Sequence, residues 1–445
     1  MSPDAREPDG DSAARRATDS ANRCTTAGGA LGETAPPAPL VPRALENRLY
    51  TRQFFQVFAA VALFMTGVAL LFHFGQYLEF RNAGVDTLGR VLSISTIGVL
   101  FVRLQIGRWI DRFGCRPCWL VGTAVAALSV GAMPWVADLW LLTILRAVWT
   151  VALAIVMTTV AVFAAQIAPQ HRRAESIGTI GLAGFLGMLI GPTLGDWVFS
   201  GDNTTIAPYR LFFGASAACS LLAGLIVLTI KIPAGPNGLR AADTRRSENR
   251  GDGPSTLRIV LRHWPGMVML VGFVFSMAFC LQMAFLERLA EERGFRDIKV
   301  FFLVYAATGM TLRLVFRRLP ERFSRRRTLV LGMTLLAFGI LGLVGIDSQW
   351  RLAPAALVMG AGHCFVFPSM VDYAASRLPA EHRGTGTSLI LGAGDLGMLV
   401  GFAVLGELID TYGFDKALFA LAGLVLLAAL LFGFATRTPR ARGAA

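Results

Sequence analysis

The chain is 445 residues long, 54% hydrophobic, only 16% charged, and carries a net charge of +13. So little charge does not cover the surface of a soluble protein of this size, which leaves the membrane as its setting. The positive charge sits in alternate short loops rather than in one stripe, so it marks topology and argues against nucleic acid as a partner.

Residues 1–45 are rich in Ala, Pro, Asp and Arg and poor in large apolar side chains, a disordered tail by composition. They hold no apolar core followed by a small-residue cleavage site, so no signal peptide is expected. A helix that crosses the ~30 Å hydrocarbon layer needs about 20 apolar residues. Runs of that length recur at 54–76, 88–106, 118–137, 139–165, 176–199 and 209–230. They return at 265–287, 298–316, 327–346, 352–375, 385–409 and 416–435. Between the two sets, 231–264 is rich in Pro, Gly and Arg and reads as a flexible linker, and 437–445 is a second tail. The expected fold is all-α: twelve transmembrane helices in two pseudo-symmetric six-helix bundles, residues 46–230 and 265–436.

Arginine and lysine excess marks cytoplasmic loops. Arg103, Arg108, Arg112 and Arg116 follow the second run, and Arg172 and Arg173 follow the fourth. Arg313, Arg317, Arg318, Arg322, Arg325, Arg326 and Arg327 cluster after the eighth. With twelve crossings these share a side with the linker and with Arg437, Arg440 and Arg442. Glu79, Asp86, Asp138, Asp202, Glu291, Asp347 and Asp410 fall on the other. Both termini are therefore expected in the cytoplasm, and the pattern fits a bacterial inner membrane. Cys115 and Cys118 form a lone Cys-x-x-Cys on the cytoplasmic side; with no second pair nearby, neither a metal nor a redox role is expected.

The two halves repeat at a fixed offset of 210. Residues 103–113 (RLQIGRWIDRF) meet 313–323 (RLVFRRLPERF) with five of eleven identical, and 184–191 (GFLGMLIG) meet 394–401 (GDLGMLVG) with six of eight identical. Parallel halves related by an axis along the membrane normal place a substrate site at their interface, near the midplane.

These blocks resemble the major facilitator superfamily. Gly107, Asp111, Arg112, Gly114 and Arg116 match its loop 2–3 signature, an Asp-Arg followed by Gly-x-Arg. The resemblance implies that Asp111 lies near the start of the eleventh helix, where a helix N-terminus favours an anion, and helps to lock the outward-open state. The second copy keeps Glu321 and Arg322 but has Ser324 and Arg325 where the first has Gly114 and Cys115. Gly187, Gly191, Pro192 and Gly195 resemble the fifth-helix motif of the proton-coupled exporters; Gly397 and Gly401 belong to its repeat. Glycines four apart also serve simple tight packing, which needs no transport direction. Arg146 stands where the family has an arginine in the fourth helix, but the glycines that should follow are Ala147, Val148, Trp149 and Thr150.

Ionisable groups at membrane depth are functional candidates by default. Asp395 is the sharpest, because its repeat partner is Phe185 within otherwise near-identical sequence. It is either a proton or cation site or a carboxylate neutralised by a structural partner. His363, opposite Leu153 in the repeat, is a titrating group, a cavity lining or a hydrogen-bonded packing residue. Arg146 pairs with Asp395 across the cavity, binds an anionic substrate or forms a plain salt bridge. His73 and Gln76 lie near the outer end of the first helix and are candidates of lower rank. Glu287 and Arg288 end the seventh helix and read as solvated or mutually paired. Arg103 and Arg313 lie near enough to the cytoplasmic face to snorkel.

The function these features imply is secondary active transport of a small organic solute by alternating access, as a proton-coupled exporter. The alternatives are an uptake symporter or uniporter for a small metabolite, or a non-transporting membrane receptor. No Gly-x-x-x-x-Gly-Lys motif supports direct use of ATP, and no clustered catalytic set supports an enzyme. The expected partners are a small-molecule substrate, protons and the lipid bilayer; no cofactor or metal is expected, and the chain is expected to be a monomer.

Overall fold

Inside hydrocarbon there is no water to satisfy backbone groups, so each apolar run closes its hydrogen bonds within itself as a helix. The computed structural model describes residues 50–167, 173–201, 204–230, 262, 264–295, 297–315, 324–378 and 383–436. The tails 1–45 and 437–445, and the linker 231–264 save residues 262 and 264, lie outside the described residues. Among the described residues all regular structure is helical, in twelve passes. The first six are α1 Arg52–Phe80, α2 Val85–Phe113, α3 Cys115–Ala132, α4 Leu139–Ile167, α5 Arg173–Val198 and α6 Ala207–Thr229. The second six are α7 Val268–Glu292, α8 Lys299–Val315, α9 Arg325–Leu341, α10 Leu352–Ser376, α11 Arg383–Tyr412 and α12 Phe414–Ala435. Among the described residues ten are long and apolar enough to cross a membrane; the described parts of α8 and α9 are 17 residues each.

Polar contacts fix which helix ends lie together. Gln56 Nε2 donates to Thr229 Oγ1 at 3.0 Å, Arg116 donates to the Leu228 carbonyl, and Arg326 donates to that of Gly433. The start of α1 thus shares an end with the close of α6, as the start of α9 does with the close of α12; this is called the linker end. At the opposite, far end Arg81 donates to the Val136 carbonyl and Arg293 to Asp415.

The sequence repeat is a repeat of packing. In the first half α1 packs on α5 and α6, α2 on α4, and α3 on α4 and α6. In the second half α7 packs on α11 and α12, α8 on α10, and α9 on α10 and α12. The halves meet along α2–α11 and α5–α8, the same pair of helices with the roles exchanged. Even the irregularities recur: α1 tightens into a 3-10 turn at Leu71–His73, and α7 widens into a π turn at Leu281–Phe285. Their first residues are 210 apart, and non-α turns inside helices often mark working positions.

The glycines of α5 are contact points for α1. A Cβ on Gly191 would stand 2.7 Å from both the Leu70 nitrogen and the Ala69 Cβ, and one on Gly187 would meet the Met65 backbone. On α11, Gly397 and Gly401 bring α7 equally close, at Phe273 and Met277. Close backbone approach substitutes for the hydrophobic driving force that lipid removes. Gly191→Val is expected to cost about 1–3 kcal/mol by overpacking, measured as a lowered melting temperature of the purified protein in detergent.

Candidate functional site

Among the described residues two places bring charged side chains from both halves together. The first is near mid-depth, where α2 crosses α11. The Asp395 carboxylate accepts two hydrogen bonds from the Arg103 guanidinium: Nη2 reaches Oδ1 at 2.8 Å, and Nε reaches Oδ2. Just toward the far end, Ser93 Oγ donates to the Leu399 carbonyl at 2.7 Å, fixing the register of the two helices. A bidentate arginine–carboxylate pair is among the stronger and more directional contacts available to side chains.

The repeat places a counterpart across the pseudo-symmetry axis, with different chemistry. Arg313 of α8 takes the position of Arg103, and Phe185 of α5 takes that of Asp395. The Arg313 guanidinium accordingly lies over the Phe185 ring, 5.2 Å from its centroid. One interface helix pair is thus held by an ion pair and its twin by a cation–π contact. Beside it, the Tyr305 hydroxyl accepts from Gln282 Nε2 at 2.9 Å and lies 2.5 Å from His363 Nδ1. The hydroxyl proton is then free to go to His363. Phe275, Phe279 and Phe367 pack around the imidazole, and Phe185 reaches it from the other half with ring centroids 5.7 Å apart.

The second place lies at the far end, between α1, α5 and α7. His73 Nε2 is 2.8 Å from Asp196 Oδ1 and 3.7 Å from Glu287 Oε1. The second Asp196 oxygen accepts from the Lys299 backbone N–H, at the start of α8, at 2.7 Å. Gly195 supports the imidazole directly, since a Cβ there would overlap its ring. Glu287 is buried, and among the described residues no side chain donates a hydrogen bond to its carboxylate, the Gln76 backbone N–H being the donor in reach. Arg288 turns away from it toward Glu79 and Glu291.

Several sequence expectations need correction. Arg146 does not pair with Asp395. It is buried ~10 Å nearer the far end, its guanidinium 4.2 Å from the Trp149 ring centroid and 5.1 Å from that of Phe74, with Nε and Nη1 unpartnered among the described residues. Arg103 does not snorkel, because its guanidinium is bonded to Asp395. Glu287 and Arg288 are not solvated, because α7 continues to Glu292 and carries both into the packed interface. Asp196 was overlooked altogether, although it directly follows the glycine motif; its repeat partner is Gly406.

In the loop 2–3 signature, Gly114 takes φ +85°, which lets it stand as the single residue between α2 and α3. A Cβ on Gly107 would meet nothing within 4 Å. Arg112 is exposed over Phe113, and Arg116 holds the C-terminus of α6. The Asp111 side chain, Glu321 and Arg322 lie outside the described residues.

Two matched six-helix bundles, meeting along two helix pairs and bridged by charges at membrane depth, define a multi-pass membrane protein built of two modules. The family follows from the sequence. The chain belongs to the Major Facilitator Superfamily, whose model matches residues 53–319 and 268–445. Among curated relatives, the class E tetracycline resistance protein of Escherichia coli is 27% identical over 272 residues, 59% of this chain. The chain spans 64% of that relative's length, just under two thirds. The staphylopine export protein of Staphylococcus aureus is 24% identical over 39% of this chain and 44% of its own. Among solved structures, the inward-open xylose transporter XylE from E. coli has a TM-score of 0.70, covering 87% of this chain and 97% of that one. At 15% identity that likeness concerns the fold alone.

Proposed function

We propose that the protein is a proton-coupled exporter of a small organic solute, in which residues 46–230 and 265–436 rock as two modules about a central site. The observation that carries this reading is the Arg103–Asp395 pair. A carboxylate at membrane depth, bonded across the interface that must open, can exchange its arginine for a proton as the halves separate. The repeat supports a functional role, since Phe185 serves the same packing position without any charge. The direction is supported by the relatives, which are named for tetracycline resistance and staphylopine export. The arginine-rich loops support a cytoplasmic linker end, and the bacterial relatives support a bacterial inner membrane.

The test begins with a metabolite and drug accumulation screen, tetracycline included, in cells with and without the protein. The compound that expressing cells exclude is then followed in proteoliposomes. Transport is expected to follow an imposed pH gradient and to vanish when the gradient is collapsed; indifference to the gradient rules out proton coupling. Labelling from the outside with an impermeant reagent is expected to reach a tag at position 137 and to miss tags at both termini. The reverse pattern overturns the orientation.

A further inference from the structure

We propose that His73, Asp196 and Glu287 form a second proton-binding site, separate from Asp395, which latches the two halves together at the far end. The three come from α1, α5 and α7, so the site exists only while the halves are closed there. Its chemistry is short of a proton. Asp196 is satisfied by His73 and by the Lys299 N–H, but among the described residues no side chain donates a hydrogen bond to either buried oxygen of Glu287, which has only the Gln76 backbone N–H in reach, and the Gln76 Oε1 is likewise unpartnered. A buried carboxylate in that position must either be paired or hold a proton.

The surrounding charges relieve it only in part, through Arg288. On α1 stands Glu79, and on α7 stand Glu291 and Arg288, whose cation is engaged by those two acids. Tyr209 of α6 lies within electrostatic reach and brings no positive charge. At the mouth, Asp86 is bonded to Arg90 and Asp297 to Lys299. A proton on Glu287 supplies the missing donor, with Gln76 Oε1 as a nearby acceptor; a proton on His73 supplies a cation between two carboxylates. Either one favours closure, and loss of the proton leaves buried like charges that push α1 and α5 away from α7. The helix irregularities fall at the same level: the 3-10 turn ends on His73, and the π turn ends two residues before Glu287. For an exporter this sign is productive, because a proton entering from outside closes the outer gate behind it.

The inference rests on the halves rocking, but not on the substrate or on Asp395, and its test needs neither. Spin labels are placed through a non-natural amino acid at positions 137 and 348, in the far-end loops of the two halves, in the full chain in nanodiscs. Distance distributions are recorded from acid to alkaline pH without substrate. The short-distance population is expected to dominate in acid and to fall as pH rises, with the closed-to-open ratio changing by up to about tenfold per pH unit for one linked proton. Glu287→Gln, which keeps a donor and removes the charge, is expected to stay closed throughout. A wild-type distribution that does not move with pH overturns the proposal. So does a Glu287→Gln variant that opens as the wild type does, or a shift that follows sodium concentration at constant pH. None of these outcomes bears on gradient-driven transport through Asp395.

Discussion

Asp395→Asn is expected to abolish transport driven by a pH gradient while leaving counterflow, the exchange of labelled for unlabelled substrate at equal pH, near its wild-type rate. Asparagine still accepts hydrogen bonds from Arg103, so the α2–α11 contact persists, but the side chain has lost the proton site. Alternating access needs the halves to rock; coupling needs a group that is charged in one state and neutral in another. Only the second requirement is removed by the substitution. Both assays use the compound returned by the accumulation screen, in the same proteoliposomes. Full gradient-driven transport by Asp395→Asn removes the residue from the mechanism, and loss of counterflow as well assigns it to the substrate site or to the fold.

The fold was legible because its signal is redundant. Hydrophobic length marks each pass, loop arginines alternate, and an offset of 210 relates the halves, so an error in one span is corrected by its twin. The site was legible only by depth. A charge in an apolar run announces itself, which is why Asp395, His363, Arg146 and His73 stood out. Which charges meet is decided by helix rotation and by how far each helix extends beyond its apolar core. Arg103 closes the apolar stretch of α2, yet the helix runs on to Phe113, and the turn of α2 against α11 brings the arginine onto Asp395 rather than into water. Arg146 had an equally plausible claim to that carboxylate and is held instead among aromatic rings. The far-end cluster was harder still. It is assembled from three helices, and the non-α turns that aim His73 and position Glu287 contain no proline to betray them.

A pair of variants separates what the Arg103–Asp395 bridge does for stability from what it does for transport. Arg103→Met strands the carboxylate in a site where its side chain keeps only 12% of its exposure. Breaking a buried pair by removing one partner costs about 3–5 kcal/mol, and less here because Asp395 can take up a proton. A clear fall in melting temperature is therefore expected. The double variant Arg103→Met with Asp395→Phe removes both charges and installs the side chain that the repeat already uses at Phe185. Replacing a buried pair by apolar groups of similar volume is often neutral or stabilising, so most of the lost melting temperature is expected to return. Gradient-driven transport is not expected to return with it. If the double variant recovers both, the bridge is a structural contact and the proton is carried elsewhere; if it recovers neither, the aromatic that suits α5 against α8 does not fit α11 against α2, and the two interfaces are less alike than their shared offset implies.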